Sequence, residues 1–439
     1  MKDKFAFLHS KKISVVLFVG FAILNLYYFI KNFIVTFLNV GSNADEYYEN
    51  NLYLISNISI DKIFYTPSQP YIFISSLINV LIDSPKIAVR LLSLISFALL
   101  LFYFIKRIKI NEQVEKGLLT EKIYRITFFV CAIFITNQMF IGTSDFLSVV
   151  FLVLALYYVL TSINLGKIEL SIKNSVIVGV LFALAIATRP TTLVLIGSFY
   201  FSILVILGFQ NIFLKQNYII GFVGLLVFIL INIFPLIEQN KVILDVKEVP
   251  KDTGVNWFQR NYLMAKFWDE GKIPNTQWIS TNDVINYKKE NPDFEFPKNQ
   301  FDFMIKEPGL FCRQLSRMVI KGLYTSYRYM YLLFPLMFLS LIKGNKYLNS
   351  IKINNKETNS SESRNRILII FHITSIILFS FLAVKLLEFR WLIPSLVLYA
   401  FFSVNYLSNF VKEIRFLIYN VSFVSGILLY LWFFITEGF

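Results

Sequence analysis

Acidic residues gather in one short stretch between hydrophobic segments, NADEYYE at 43–49. Because this stretch follows the first apolar run, it places Asp45, Glu46 and Glu49 at the edge of a predicted membrane span. A carboxylate there is costly to desolvate unless it stays wet or takes part in function. Partial burial can tune a carboxylate towards general-base chemistry, so Asp45 and Glu46 are candidate catalytic residues, although an acidic pair in a loop is by itself a weak motif. The alternative is that these acids favour the N-terminal dipole of an interfacial helix.

A second external carboxylate and several basic residues lie in other outer turns. Asp145, in IGTSD, opens a predicted span; it is a second acidic candidate, and helix capping explains it at least as well. Arg189, in ATRPTT, and Arg390 with Lys385, in KLLEFR, could bind a donor phosphate, because the planar fork of arginine donates two hydrogen bonds at once. The alternative is snorkelling at a span end, which we favour for Arg90.

The elements that position these residues must lie in a membrane. Of the 439 residues, 56% are hydrophobic and only 16% are charged, which is far from the balance of a soluble globular protein. We therefore predict an all-α polytopic membrane protein with about eleven transmembrane helices. The apolar runs are 13–30, 87–105, 124–141, 146–163, 174–188, 192–209, 217–237, 328–342, 367–384, 391–407 and 416–435.

The positions of lysine and arginine predict the orientation, since these residues resist translocation in short loops. With the N-terminus in the cytoplasm, the loops rich in lysine and arginine fall inside, and NADEYYE, the long loop and the C-terminus fall outside. No small-residue cleavage site follows the first run, so we interpret it as an anchor. Nothing resembles an endoplasmic-reticulum retrieval signal, so we place the protein in a bacterial inner membrane.

The segments between the apolar runs differ in character. The first external loop, 41–86, is rich in aromatic residues and is predicted to hold interfacial helices, one of them over 71–82. The inner stretch 343–366 is polar and poor in aromatics, which is typical of a disordered linker. The predicted parts of the chain are an N-terminal transmembrane module at 1–237, a small external cap at 238–327 that ends in a juxtamembrane helix over 311–324, and a C-terminal transmembrane module at 328–439.

Weak motifs follow one another in a specific order along the chain. They are DEYYE at 45–49, YTPSQPY at 65–71, AVRLLSLISFALLLFYFIKR at 88–107, GTSDFLSVVFLVLALYYVL at 142–160, GVLFALAIATRPTTLVL at 179–195, IKEPGLFCRQLSRMVIKGLY at 305–324 and FRWLIPSLVLYA at 389–400. This order resembles the GT-C class of integral-membrane glycosyltransferases, the group that contains protein O-mannosyltransferases and bacterial aminoarabinose transferases.

The resemblance implies a transferase that moves a sugar from a polyprenyl phosphate to an acceptor at the outer face of the membrane. Asp45 matches the family's catalytic acid and Glu46 its partner, while Arg189 and Arg390 fall where the family holds the lipid phosphate. Two departures weaken any assignment to a subfamily: Arg189 stands where lysine is frequent, and YTPSQP lacks the His-Pro-Pro of many relatives.

The expected partners are a lipid-linked sugar donor, a glycan, lipid or protein acceptor, and membrane lipids. Nucleotide sugars are confined to the cytoplasm, so carboxylates on the outer face need a donor delivered through the bilayer. Glu46 either positions the acceptor or helps to bind a divalent cation. Metal dependence stays open, because two carboxylates without further oxygen ligands are an incomplete site.

Other functions stay open beside this one. A cell-envelope polysaccharide polymerase or ligase would use the same residue types at the outer face. A transporter or flippase would place ionisable residues in the middle of its spans, where this chain has few polar residues. An assembly subunit that has lost activity would tolerate substitution of Asp45.

Several classes of site are disfavoured by the composition. The net charge of +14 falls mainly in short loops on one side, as topology requires, so we expect no nucleic-acid partner. Cys131 lies in a predicted span and Cys312 in an external segment, which makes a disulfide between them improbable. His9 and His372 are too few and too separated for a histidine metal site or a Ser/His/Asp triad.

Overall fold

A computed structural model describes the chain at residues 11–34, 52–53, 55–56, 68–108, 118–134, 142–164, 166–239, 255, 257–274, 279–330, 333–338, 341, 357–383 and 389–436. The helices within these residues are α1 (Lys11–Asn32), α2 (Gln69–Ile82), α3 (Pro85–Arg107), α4 (Leu118–Phe134), α5 (Ser144–Thr161), α6 (Ile172–Thr188), α7 (Thr192–Leu207), α8 (Lys215–Ile231), α9 (Ile233–Gln239), α10 (Trp257–Asp269), α11 (Thr281–Glu290), α12 (Gln300–Lys306), α13 (Pro308–Met330), α14 (Leu333–Phe338), α15 (Glu357–Ala383), α16 (Ile393–Leu407) and α17 (Lys412–Thr436). Short 310 helices cover Phe209–Asn211 and Phe389–Leu392.

The architecture is all-α, as the composition predicts. The only strands among the described residues are β1 (Ile163–Asn164) and β2 (Lys167–Ile168), which pair antiparallel and join α5 to α6. Five helical segments, in α1, α3, α5, α15 and α17, are long and apolar enough to cross a membrane. Shorter apolar helices are α2, α6, α7 and α8. These helices are compatible with a membrane protein.

The chain divides into two compact units. The first comprises Met1–Asp245, Ser326–His372 and Ile393–Phe439, and the second comprises Val246–Thr325 and Ile373–Leu392. The three-part division drawn from the loops of the sequence remains a prediction.

Two helix contacts in the first unit depend on glycines. A Cβ on Gly179 of α6 would lie 2.8 Å from the carbonyl oxygen of Ile220 in α8, so these two helices approach backbone to backbone. Small residues permit such close approach between helices in lipid. At the contact between α1 and α17, a Cβ on Gly426 would collide with the ring of Phe21.

Two predictions about regular structure need correction. Residues 357–366 of the predicted disordered linker form the beginning of α15, where the guanidinium of Arg364 donates hydrogen bonds to the carbonyls of Thr161 and Ile163. These tertiary contacts hold a stretch whose composition alone favours disorder. The apolar run 217–237 is divided at Asn232, whose side-chain amide donates to the carbonyl of Phe228 and so competes with the helical ladder.

The second unit has a core of its own, built on α10. Tyr262 and Phe303 lie at its centre, fully buried, with ring centroids 5.1 Å apart. The Tyr262 hydroxyl donates a 2.6 Å hydrogen bond to Glu307, and the ammonium of Lys266 lies 3.1 Å from the same carboxylate. Burial, together with the bond to Glu307, raises the pKa of Tyr262. The phenol therefore remains a neutral donor that ties α10 to the segment joining α12 and α13.

Candidate functional site

The described part of the predicted site lies at one end of the hairpin formed by α5 and α6. Thr143 is the N-cap residue of α5 and Asp145 lies in its first turn. Arg189 is the C-cap residue of α6, where Pro190 follows and the helix ends. Because the two helices are antiparallel neighbours joined by a short β hairpin, the start of one meets the end of the other. The carboxylate and the guanidinium are thereby brought together.

Asp145 and Arg189 form an ion pair. The Nε atom of Arg189 lies 2.7 Å from Oδ1 of Asp145, with 12% and 4% of the respective side chains exposed. The distance is that of a charge-assisted hydrogen bond, but the N–H direction does not satisfy hydrogen-bond geometry. Nη1 of Arg189 also donates a long 3.4 Å bond to the hydroxyl of Ser144. The carboxylate therefore holds the guanidinium by its Nε edge and leaves its outer edge out of the pair.

The helix ends support both charges of this pair. The N-terminus of α5 carries partial positive charge, which favours a carboxylate in its first turn, and the C-terminus of α6 carries partial negative charge, which favours a guanidinium. A buried ion pair also carries a large desolvation cost, so its geometry must be held by the surroundings. The surroundings here are the turn before α5 and the helix α2.

The turn before α5 is fixed by a glycine and a tyrosine. Gly142 has φ of +69°, and a Cβ there would lie 2.9 Å from the backbone nitrogen of Arg90, so only glycine fits. The hydroxyl of Tyr71, in α2, donates a buried 2.7 Å hydrogen bond to the Gly142 carbonyl. The segment predicted to be an interfacial helix after YTPSQP thus positions the residues that precede Asp145.

A hydrophobic cluster continues this link towards the acidic stretch of the first loop. Ile55 is fully buried among Tyr71, Val89 and Leu147, which lie in α2, α3 and α5. The side-chain amide of Asn79, in α2, also donates to the carbonyl of Ile55 at 3.4 Å. The chain that follows NADEYYE is therefore anchored on the same three helices that frame Asp145.

The other predicted site residues are placed as follows. Asp45 and Glu46 lie outside the described residues, as does Lys385. Arg390 lies in the 310 helix Phe389–Leu392, which belongs to the second compact unit, and its side chain is partly buried. Of the predicted site residues, the structure brings together Asp145 and Arg189.

The capping and functional interpretations of Asp145 both have a basis in this geometry. Thr143 occupies the N-cap position without a side-chain capping hydrogen bond, and the first turn of α5 gains a negative charge from Asp145. The carboxylate nevertheless faces the guanidinium of Arg189, which a capping role does not require. Its assignment as an acidic site residue remains a prediction.

Three neighbours of the pair were not predicted as site residues. Ser144 and Tyr71 carry no signal in the sequence beyond their nearness to a turn and a proline segment. Arg90, interpreted as a snorkelling residue, is instead buried, with 6% of its surface exposed, and its backbone contacts Gly142. Its position inside a helix packed on both α2 and α5 is a tertiary effect.

A second buried charged cluster lies at the start of α4. The guanidinium of Arg415, in α17, is 2.9 Å from the carboxylate of Glu121, and both side chains are at most 5% exposed. Nη1 of Arg415 donates to the carbonyl of Phe410, while Arg125 donates to the side chain of Asn405. These contacts tie α4 to the α16–α17 turn, which is a structural role.

No metal centre is found within the described ranges. No group of three or more histidine, cysteine, aspartate or glutamate side chains there could hold an ion. The predicted pair Asp45 and Glu46 lies outside these ranges.

In comparisons with known proteins, no protein-family model, curated protein or solved structure matches the chain. Its function is therefore inferred from its own residues and their arrangement.

Proposed function

We propose that the protein is a glycosyltransferase of the GT-C type that moves a sugar from a polyprenyl-phosphate donor to an acceptor at the outer face of a membrane. About eleven spans, an N-terminus in the cytoplasm and residence in a bacterial inner membrane belong to the same proposal. Support comes from the apolar helices and from the order of motifs along the chain.

The observation that carries the proposal is the Asp145–Arg189 pair. An arginine that is 12% exposed, held at 2.7 Å by one carboxylate at the end of a helix hairpin, is a fixed donor of the kind that binds phosphate. A snorkelling arginine would instead extend freely into the headgroups. Tyr71 and Ile55 tie this end of the hairpin to the first loop, where the predicted base Asp45 lies.

The proposed reaction is a displacement at the anomeric carbon of the donor. The acceptor hydroxyl oxygen forms a bond to that carbon while the bond from the carbon to the phosphate oxygen breaks. The hydroxyl proton passes to the Asp45 carboxylate, and polyprenyl phosphate leaves with the bonding electron pair. Arg189 donates hydrogen bonds to the departing phosphate, with Arg390 and Lys385 as further proposed donors, and so stabilises the charge that grows in the transition state.

The carboxylate of Asp145 has a positioning role in this scheme. It holds Arg189 at the Nε edge, and Ser144 accepts a long bond from Nη1, so the position of the guanidinium is fixed at the end of the hairpin. Glu46 positions the acceptor or contributes to a cation site.

The test compares purified wild type with Asp45→Asn in detergent, using a panel of radiolabelled polyprenyl-phosphate sugars and membrane extract as the source of acceptor. The substitution removes the base and nearly preserves shape. Asp61→Asn, in the same predicted loop, is the matched control. We expect wild type and Asp61→Asn to transfer label, and Asp45→Asn to bind the donor without transferring it.

Two outcomes would contradict the proposal. Equal transfer by Asp45→Asn would remove Asp45 from catalysis. Absence of donor binding by wild type across the panel would favour transport or an assembly role over transfer.

A further inference from the structure

The second unit exposes an apolar face on the short helix α12. Phe301 and Ile305 have 64% and 74% of their surface exposed, and Met304 lies between them on the same face, at the i, i+3, i+4 spacing. The opposite side of α12 is different, since Phe303 is fully buried in the core of the unit. The ring of Phe301 still touches the edge of this core, since it lies 5.6 Å from the ring of Phe381, whereas Met304 and Ile305 keep much of their surface exposed.

The remaining surface of α12 is polar, so the helix has three distinct faces. Asp302 and Lys306 form an i, i+4 ion pair at 3.4 Å. The seven residues of α12 thus form a buried face, a charged face and an exposed apolar face. Packing against the core of the unit uses only the first of these. The apolar face needs an environment that is less polar than water.

The depth of α12 is marked by its contact with α15. The side-chain amide of Gln300 donates hydrogen bonds of 2.7 and 2.9 Å to the carbonyls of Phe381 and Leu382. These carbonyls lie at the end of the apolar segment Ser360–Leu382, which is long enough to cross a membrane. Gln300 therefore caps the end of a candidate span with its side chain, in place of water.

If the apolar segment Ser360–Leu382 crosses a membrane, that contact places the apolar face of α12 near the boundary of the bilayer. At 1.5 Å per residue, Ile305 lies at most about 8 Å along the helix from Gln300. The headgroup region of one leaflet is roughly 5–8 Å thick, and interfacial helices bury their apolar faces about 5–10 Å into it. On α15 itself, Leu378 and Leu382 are also exposed apolar residues, so the apolar surface of the span continues up to the Gln300 contact.

We propose that α12 is a membrane-binding element, in which Phe301, Met304 and Ile305 insert into the lipid at the boundary between headgroups and acyl chains. The occupant of this face is the bilayer, because Gln300, at the start of the same helix, is hydrogen-bonded to the end of an apolar span. The second unit is thereby held at the membrane surface through α12. This inference does not depend on the proposed transferase activity.

The test measures the surroundings of a spin label at position 305 in the full-length protein. Cys131 and Cys312 are replaced by alanine and serine, and Ile305→Cys is labelled in nanodiscs of phosphatidylethanolamine and phosphatidylglycerol. Collision with oxygen, which partitions into lipid, is compared with collision with a water-soluble nickel chelate. Leu378→Cys, on α15, serves as the lipid control, and Glu290→Cys, exposed at the end of α11, as the aqueous control.

We expect the ratio of oxygen to nickel collision at 305 to rise above that at 290 and to approach that at 378. A ratio equal to that at 290 would place the face in water and overturn the proposal. Protection from both reagents would indicate a protein partner or a second copy, which also overturns it. A label at Phe301→Cys repeats the measurement independently, should Ile305→Cys fail to fold.

Discussion

Asp145 and Arg189 offer a perturbation that separates a structural role from a functional one. Asp145→Asn and Arg189→Gln each remove one charge of the pair, and the double variant removes both. Each single variant removes one charge of the pair and leaves the other in a site where the two side chains are 4% and 12% exposed. The double variant leaves two neutral amides that can hydrogen-bond to each other.

The magnitude follows from the burial of the pair. Removing one partner of a buried ion pair costs about 3–5 kcal/mol, whereas neutralising both is often close to neutral. If each kcal/mol lowers Tm by about 2–4 °C, the single variants should melt roughly 6–20 °C below wild type. Loss of a donor that acts on the transition state costs about 100- to 1000-fold in rate, which is roughly 2.7–4 kcal/mol. The rate loss should persist in the double variant.

The assay combines thermal unfolding in detergent with transfer of labelled sugar from a polyprenyl-phosphate donor. Lys173→Gln is the matched control, because Lys173 is exposed at the other end of α6. We expect low stability in both single variants, recovery to within about 1 kcal/mol in the double variant, and a rate that recovers in neither Arg189 variant.

Two results would refute this reasoning. If the double variant regains both stability and transfer, the pair serves only to pack α5 against α6, and Arg189 does not bind phosphate. If neither single variant loses stability, the ion pair is not formed as described, and the site must be built from other residues.

Three further predictions concern stability, each measured by unfolding in detergent. Glu121→Gln leaves the charge of Arg415 buried and should cost about 3–5 kcal/mol; an unchanged Tm would mean that the buried pair is not formed. The side chain of Gly426→Val would overlap the ring of Phe21, so this variant should lower the free energy of unfolding by about 1–3 kcal/mol. An unchanged free energy of unfolding would mean that α1 and α17 do not approach as closely as described. Hydrogen bonds from Arg313 and Arg317 lower the pKa of Asp269, so the ionised carboxylate stabilises the fold fully above about pH 4 and less as the pH falls below that. Asp269→Asn should therefore lose less stability on acidification than wild type. An identical dependence of stability on pH in the two proteins would contradict this prediction.

The helices were predictable because their signal is local. An apolar run fixes where a helix must lie in a membrane, and α1, α3 and α17 follow the predicted runs closely. The same logic places Asp145 at the start of α5 and Arg189 at the end of α6. The number of spans depends on residues outside the described ranges and stays a prediction.

Two predictions of regular structure were wrong because a contact made by a single side chain decided the local structure. Residues 357–366 have a composition typical of disorder, yet Arg364 binds the carbonyls at the end of α5, and the stretch is helical. The single Asn232 does not interrupt the average hydropathy of the run 217–237, yet its side chain bonds to the backbone where α8 ends. A hydropathy profile averages over many residues, so it does not reveal a hydrogen bond made by one side chain.

The sequence by itself determined that the chain is helical, rich in apolar runs and poor in charged residues, which is compatible with a membrane protein. Only the tertiary structure decided which of those charges meet. Asp145 and Arg189 are 44 residues apart in number and come into contact because α5 and α6 pack antiparallel, with Gly142 and Tyr71 fixing the turn before α5. Composition and hydrophobic periodicity predict each helix separately, whereas an ion pair forms only where the ends of two helices meet in space.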